Sequence, residues 1–297
     1  MSEKQELFVY IDGKFYPESE AKISVFDHGL LYGDGVFEGI RAYNGRVFKL
    51  EEHINRLYES AKTVDIQIPL SKEEFKDVVI ELLRKNKLKD AYIRPIVTRG
   101  VGRLGMDPRH CKKPTIIIIQ QRLEEYPLTV TRGRTVRAVI SSTRRNPPFC
   151  LPPMVKSLNY QNNVLAKIEA IHAGADDAIM LDWRGYVCEG TGDNIFIFKG
   201  GALITPPLYA GILPGITRHT IIEIAKRLGM EVLERDITVH ELYNADEAFL
   251  AATGIEIQPL VDVDGRKIGT GEPGPIFMKI KEEFKKETQT TGIPIYE

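Results

Sequence analysis

The chain is poor in cysteine, in net charge and in long apolar runs, and each scarcity excludes a class of function. Three cysteines (Cys111, Cys150 and Cys188) stand far apart in 297 residues, with no CxxC pair. They support neither a zinc knuckle nor a disulfide framework. The six histidines, at 28, 53, 110, 172, 219 and 240, include no pair at helical ligand spacing, so no metal is expected. Lys and Arg total 40 against 41 Asp and Glu, a formal net charge of −1, and the positive runs stop at pairs such as Lys112-Lys113 and Arg144-Arg145. A nucleic-acid partner needs a local surplus of cations to displace counterions, and none is expected here. The longest purely aliphatic run is Ile116–Ile119, far short of the roughly 18 residues of a membrane span. MSEKQELFVY has no basic-then-apolar signal pattern, and the expected location is the cytoplasm.

What is present is ordinary for a folded chain: 43% hydrophobic and 27% charged residues. A chain of this length buries roughly three quarters of its unfolded surface and needs no covalent staple. At about 150 residues per domain, two domains are expected.

Periodicity organises the chain. Leu7–Ile11, Lys22–Phe26 and Val36–Tyr43 read as strands, the first closed by Asp12-Gly13 and the third by the hairpin signal Asn44-Gly45. Leu50, Ile54, Leu57, Ala61 and Val64 recur at helical spacing, and Ser71 with Glu74 forms a capping box opening a helix to about Lys85. Ala91–Thr98 and Thr115–Gln121 read as strands. The segment 122–134 is charged and aperiodic and is expected to join a domain at 1–121 to one at 135–297. The second block reads as a strand at Val136–Ser142, a helix at Gln161–His172, strands near Ala178, Ile195, Glu231 and Ala248, a helix through Ile221 and Leu228, and a last helix from Pro275 to about Glu287.

Several residues suit chemistry, each with a plainer reading beside it. Lys156 follows Pro152-Pro153 and precedes a helix start, so a stiff approach can fix and partly desolvate its amine. Desolvation favours the neutral nucleophile needed for a Schiff base; a solvated surface lysine reads the same way. Glu189 ends a short strand before Gly190-Thr191-Gly192 and either points into a cleft or sits exposed at a turn. Those glycines, like Gly33-Asp34-Gly35, fail as a dinucleotide fingerprint. Leu213-Pro-Gly-Ile-Thr-Arg218 opens a helix whose free amides and Thr217 hydroxyl suit a phosphate or simply cap. Arg56 either pairs with Glu52 or meets a phosphate. Tyr92 and Arg94 share a strand face and suit a carboxylate ligand or a surface pair.

Taken in order, Phe26–Tyr43 (FDHGLLYGDGVFEGIRAY), His53–Leu57 (HINRL), Tyr92–Gly102 (YIRPIVTRGVG), Lys156–Ala170 (KSLNYQNNVLAKIEA), Glu189–Phe196 (EGTGDNIF), Leu213–Arg218 (LPGITR) and Ala252–Pro259 (ATGIEIQP) resemble the class IV, or fold-type IV, pyridoxal-phosphate aminotransferases, closest to the archaeal-type branched-chain amino acid enzymes. The resemblance implies an α+β fold: a small N-terminal α/β domain, a larger C-terminal pseudo-barrel domain and a cofactor, pyridoxal 5'-phosphate, in the cleft between them. It implies Lys156 as the Schiff-base lysine and proton shuttle, Glu189 on the ring nitrogen, and Tyr160 on the ring's phenolic oxygen. Arg56, Ile216, Thr217 and Thr253 would hold the phosphate, with Gly192, Asp193, Asn194 and Gly215 also at the cofactor. Tyr32, Phe37, Tyr92, Arg94, Arg103, Thr253 and Gly254 would form the substrate pocket, completed by the loop at about Gly102–Met106 of a second copy, so a homodimer or higher homo-oligomer is implied. The implied reaction is a ping-pong amino transfer between a branched-chain L-amino acid and 2-oxoglutarate.

Two departures bear on substrate. Relatives typically read GTAAE where this chain has Ala252-Thr-Gly-Ile-Glu256, and GVGDLG where it has Gly100-Val-Gly-Arg-Leu-Gly105. Arg103 adds a cation at the pocket mouth, and a D-amino acid aminotransferase of the same fold is the alternative; Tyr92-x-Arg94 favours the L-enzyme. An aminodeoxychorismate lyase is the more distant same-fold option. A catalytically silent binding protein would be expected to lose Lys156 or Glu189, and a nucleotide-dependent oxidoreductase would need the glycine fingerprint this chain lacks.

Overall fold

The computed structural model describes residues 6–125 and 134–296, and they fall into two compact units. One unit comprises Met1–Thr129, Val155–Asn159 and Thr288–Glu297; the other comprises Val130–Met154 and Tyr160–Glu287. Of the expected connection at 122–134, residues 126–133 lie outside the described residues; Arg122 still belongs to a strand.

The first unit is a largely antiparallel sheet with helices against it. Its elements are β1 (Phe8–Ile11), β2 (Lys14–Pro17), α1 (His28–Tyr32), β3 (Gly35–Phe37), β4 (Ile40–Tyr43), β5 (Arg46–Val47), α2 (Leu50–Thr63), α3 (Lys72–Lys85), β6 (Ala91–Thr98) and β7 (Thr115–Arg122). The sheet runs Ile293–Pro294, β5, β4, β6, β7, β1, β2, with β3 also paired to β6. Asp12-Gly13 and Asn44-Gly45 make the hairpin turns their dipeptides demand, all four at positive φ. The Ser71–Glu74 capping box forms as read. The strand expected over Lys22–Phe26 does not: the chain turns at Asp12-Gly13 and pairs immediately through β2, leaving Ile23, Val25 and Phe26 exposed. The strand expected over Val36–Tyr43 is split at Glu38-Gly39, where Glu38 turns a carboxylate with no exposure toward basic groups of α2. The core gathers Leu50, Ile54, Leu57 and Ala61 of α2, Phe75, Val79 and Leu83 of α3, and Ile93, Val97, Ile116 and Ile118 of the sheet. Each such side chain contributes roughly 1.5–3 kcal/mol by leaving water.

Val155–Asn159 is annexed by this unit's sheet. Phe37 N donates to Lys156 O at 2.9 Å, Leu158 N to Gly35 O at 2.9 Å, and Lys156 N to Ser60 Oγ at 3.2 Å, while Val155 buries in the α2/α3 core. Lys156 therefore stands with the first unit, although it lies beyond the expected domain boundary in sequence.

The second unit is a mixed sheet. It comprises β8 (Val136–Ile140), α4 (Gln161–His172), β9 (Asp177–Leu181), β10 (Val187–Glu189), β11 (Asn194–Lys199), β12 (Ala202–Thr205), α5 (Ile216–Arg227), β13 (Glu231–Glu234), α6 (Val239–Tyr243), β14 (Glu247–Ala252), β15 (Glu256–Val263), β16 (Arg266–Lys267) and most of α7 (Pro275–Thr290). The strand order is β10, β9, β8, β15, β14, β11, β12, β13, with β16 on β15. β8 pairs in parallel with β9 and β15, and β12 with β13; the other pairings are antiparallel. Ile179, Leu181, Ile195, Ile197, Leu250 and Leu260 line its core. No helix among the described residues is long and apolar enough to cross a membrane.

Gly35 is the tight point of the annexed segment: a Cβ there would lie 2.6 Å from Leu158 Cδ1 and 2.8 Å from Val97 O. Gly35→Ala is expected to destabilise the protein by about 1–3 kcal/mol, read as a lower urea midpoint with an unchanged slope.

Candidate active site

In the first unit the candidate residues gather around Phe37. The Lys156 ammonium lies 4.6 Å from its ring centroid, and the Arg94 guanidinium carbon also lies 4.6 Å from it. Arg94 Nη2 donates to Tyr92 Oη at 2.6 Å, as expected of two residues on one face of β6. Phe37 and Tyr92 are buried and Lys156 and Arg94 half-buried. Desolvated cations over aromatic faces gain about 1–2 kcal/mol, which holds both amine and guanidinium against an apolar wall.

Arg56 pairs with Glu38, while Glu52 takes Lys49. The Arg56 guanidinium grips Glu38 with both arms, Nε to Oε1 at 2.6 Å and Nη2 to Oε2 at 2.8 Å. His53 Nδ1 donates to the same Oε2 at 2.7 Å. His53 and Arg56 sit three apart on the buried side of α2, so one helical face presents both to Glu38. Burial opposes the charge on Glu38, but Arg56 and His53 outweigh it and hold the carboxyl far below the usual range. His53 is pushed down, first by burial and further by Arg56 and Lys156, and stays neutral despite Glu38. Neither Glu38 nor His53 was singled out from the sequence; the signal available was the HINRL spacing of two basic side chains beside an apolar stripe.

Tyr32 and the loop at Arg103 are joined. Gly105 N donates to Tyr32 Oη at 2.7 Å, and His28 Nε2 donates to Arg103 O at 2.9 Å. Leu104 and Met106 are exposed, as is the Arg103 side chain.

In the second unit Glu189, at the end of β10, is 4% exposed and receives three donors: Arg145 Nε on Oε1 at 2.6 Å, Leu213 N on Oε2 at 3.0 Å and Asn194 Nδ2 on Oε2 at 3.2 Å. Burial opposes the charge on Arg145, but Glu189 wins and raises its pKa. Arg145 carries no sequence signal beyond the short Arg144-Arg145 run. A carboxylate accepts about four hydrogen bonds, so the three donors among the described residues leave Glu189 room for one more. Asn194, the first residue of β11, also donates to Leu213 O at 3.0 Å, tying β11 to the approach to α5.

Gly215 is the N-cap of α5, with no side-chain cap, so its first-turn amides around Ile216 and Thr217 lack that partner. Thr217 is buried in that first turn rather than capping it. Thr253 and Gly254 form the half-buried turn between β14 and β15, but Ile255 packs on the second unit's core, so its bulk is directed inward. Tyr160 immediately precedes α4. Gly192 is exposed, whereas the Asp193 carboxyl is turned inward, against Asp177.

Residues 35–263 match the family described as amino-transferase class IV. The chain is 57% identical over 289 residues to a provisionally named branched-chain-amino-acid aminotransferase of Methanocaldococcus jannaschii, covering 97% of this chain and 99% of that protein. The branched-chain aminotransferase of Thermoproteus uzoniensis, solved with norvaline, superposes with a TM-score of 0.91 at 40% identity, covering 98% of this chain and all of that one. The T.th. branched-chain amino acid aminotransferase, complexed with N-(5'-phosphopyridoxyl)-L-glutamate, gives a TM-score of 0.90 at 37% identity, covering 96% of this chain and 95% of that one.

Glu38→Gln strands the buried Arg56 charge and is expected to cost about 3–5 kcal/mol at neutral pH. A carboxyl with a depressed folded pKa stabilises fully above its unfolded value, about 4.3, and loses that stabilisation as the pH falls toward the folded value. The difference between wild type and variant in urea should therefore shrink on acidification below about pH 4; a constant difference contradicts the pairing.

Proposed function

Because the chain belongs to the class IV aminotransferases and is a transaminase, we propose that it transfers an amino group between a branched-chain L-amino acid and 2-oxoglutarate by a ping-pong route, with pyridoxal 5'-phosphate as cofactor. The observation that carries the reading is Lys156: its main chain is paired to β3, its amine rests on Phe37, and Arg94 shares that ring. A half-buried primary amine, a carboxylate with a spare acceptor position and an uncapped helix start are the donor set that this cofactor needs, and all three are present.

When bound, the cofactor supplies a ring that takes up the electron pair released as the substrate's α-C–H bond breaks. Lys156 would supply the amine that holds the cofactor, and as a free amine it would accept the proton from the substrate's α-carbon and return it to the substrate–cofactor adduct. Glu189, fixed by Arg145, Asn194 and Leu213, accepts from the protonated ring nitrogen and keeps it charged. Tyr160 hydrogen-bonds the phenolic oxygen. Arg56, braced on Glu38, meets the phosphate with the Ile216 and Thr217 amides, the Thr217 hydroxyl and Thr253. Gly192 and Asn194 border the ring site.

Phe37, Tyr92 and Tyr32 supply apolar wall for a branched side chain, and Arg94 meets the distal carboxylate of glutamate. Gly254 lies at the carboxylate end. The exposed loop at Gly102–Met106, with Arg103, reaches the pocket of a second copy, which makes a homodimer the smallest complete unit. The exposed apolar side chains of Leu104 and Met106 support such a contact. Three free cysteines, one of them exposed, support a reducing, cytoplasmic compartment.

The purified protein is expected to show a visible imine band that borohydride abolishes, and Lys156→Ala should lack it. An unchanged band in the variant overturns the cofactor assignment. With 2-oxoglutarate as acceptor, L-leucine and L-valine should outpace D-alanine and D-glutamate; the reverse order assigns the D-amino acid alternative.

A further inference from the structure

Beneath the turn that follows Glu189, two carboxyl groups meet. Asp177, the first residue of β9, is buried, and its Oδ1 accepts from Ala178 N at 2.9 Å, Thr191 Oγ1 at 2.5 Å and Lys167 Nζ at 3.3 Å. All three donors lie on that one oxygen. The Asp193 carboxyl lies against the Asp177 carboxyl beneath Gly190, and Asp193 Oδ1 is enclosed with no donor among the described residues. Gly190 closes over the pair: a Cβ there would overlap Asp193 Oδ1 and lie 3.3 Å from Asp177 Oδ2. The same turn is pinned by Gly190 N donating to Asp193 O at 2.7 Å and by Asn163 Nδ2 donating to Thr191 O at 2.9 Å.

Ionised carboxylates only accept, so two of them buried side by side, one with an oxygen that no donor reaches, favour a proton on one. Asp177 has three donors, one of them an ammonium, that favour its charged form. Asp193 has none of these. Burial first, and then the Asp177 charge, push the Asp193 carboxyl well above the ordinary range, with Glu189 adding to the push and Lys167 opposing it.

We propose that Asp193 is a positioning residue: it holds a proton at neutral pH, donates it to Asp177, and through that bond sets the turn from which Glu189 projects. The part concerning Glu189 rests on the site reading above; the proton does not. The Asp193 side chain then serves the loop from below instead of touching a cofactor.

Wild type, Asp193→Asn and Asp193→Ala separate these elements. Asn is an isosteric neutral donor that keeps the bond to Asp177 without a titration. A carboxyl whose folded pKa is raised stabilises fully below its unfolded value, about 3.9, and loses that contribution as the pH rises toward the folded value. The charged groups facing the pair are Asp177 on β9, Lys167 on α4, and Glu189 on β10 with its partner Arg145; all are present in both proteins and cancel in the comparison. The Tm of Asp193→Asn minus that of wild type should therefore increase from about pH 5 to about pH 9. Parallel curves overturn the proton assignment. In cofactor-loaded protein, Asp193→Ala should shift the visible band and lower kcat/KM about tenfold or more, with Asn restoring most of it. An unshifted band and unchanged kcat/KM in Asp193→Ala overturn the positioning role. Since the Tm comparison needs no cofactor, a wild-type protein without a cofactor band sinks the site reading, and the proton assignment still stands or falls on the pH curves.

Discussion

Lys156 owes its place to main-chain pairing with the edge of another strand. Phe37 N and Gly35 O bond the backbone on either side of Ser157, Ser60 holds the Lys156 amide, and Val155 sinks into the α2/α3 core. Backbone bonds are less forgiving than a side-chain rotamer, because a slip of one residue would turn the amine to the opposite face. The contacts of the amine with Phe37, and through that ring the neighbourhood of Arg94 and Tyr92, follow from this register.

One buried carboxylate in each unit is held by several donors. Glu38 takes Arg56 and His53, and Glu189 takes Arg145, Leu213 N and Asn194. Lone charges at such depth would cost several kcal/mol each, so these partners are conditions of folding as much as of chemistry. Their effect is also geometric. A carboxylate pinned by three donors presents its remaining acceptor position in one direction, which is what a site needs from a group that must meet a ligand.

Much of the frame was legible in local pattern. The α2 stripe, the α3 capping box, the turns at Asp12-Gly13 and Asn44-Gly45, and the β-branched runs of β6 and β7 all rest on interactions within a few residues. Errors fell where a neighbour in space overrode the local signal. Lys22–Phe26 has strand composition but no partner strand among the described residues, because β2 takes the hairpin position. Val36–Tyr43 alternates well but is broken where Glu38 turns toward α2.

The amino-acid sequence by itself determined most of the elements, the ordered motifs and the family they belong to, because periodicity, capping and turn chemistry act over three or four residues. It also named Lys156, Arg56 and Glu189 as residues of interest. Only the tertiary structure decided their partners: Glu38 for Arg56, Arg145 for Glu189, Asp177 for Asp193, and the β3 edge for the segment carrying Lys156. Those pairings join positions far apart in the chain. They form because burial removes water from groups that must then find one another, a requirement that no local window contains.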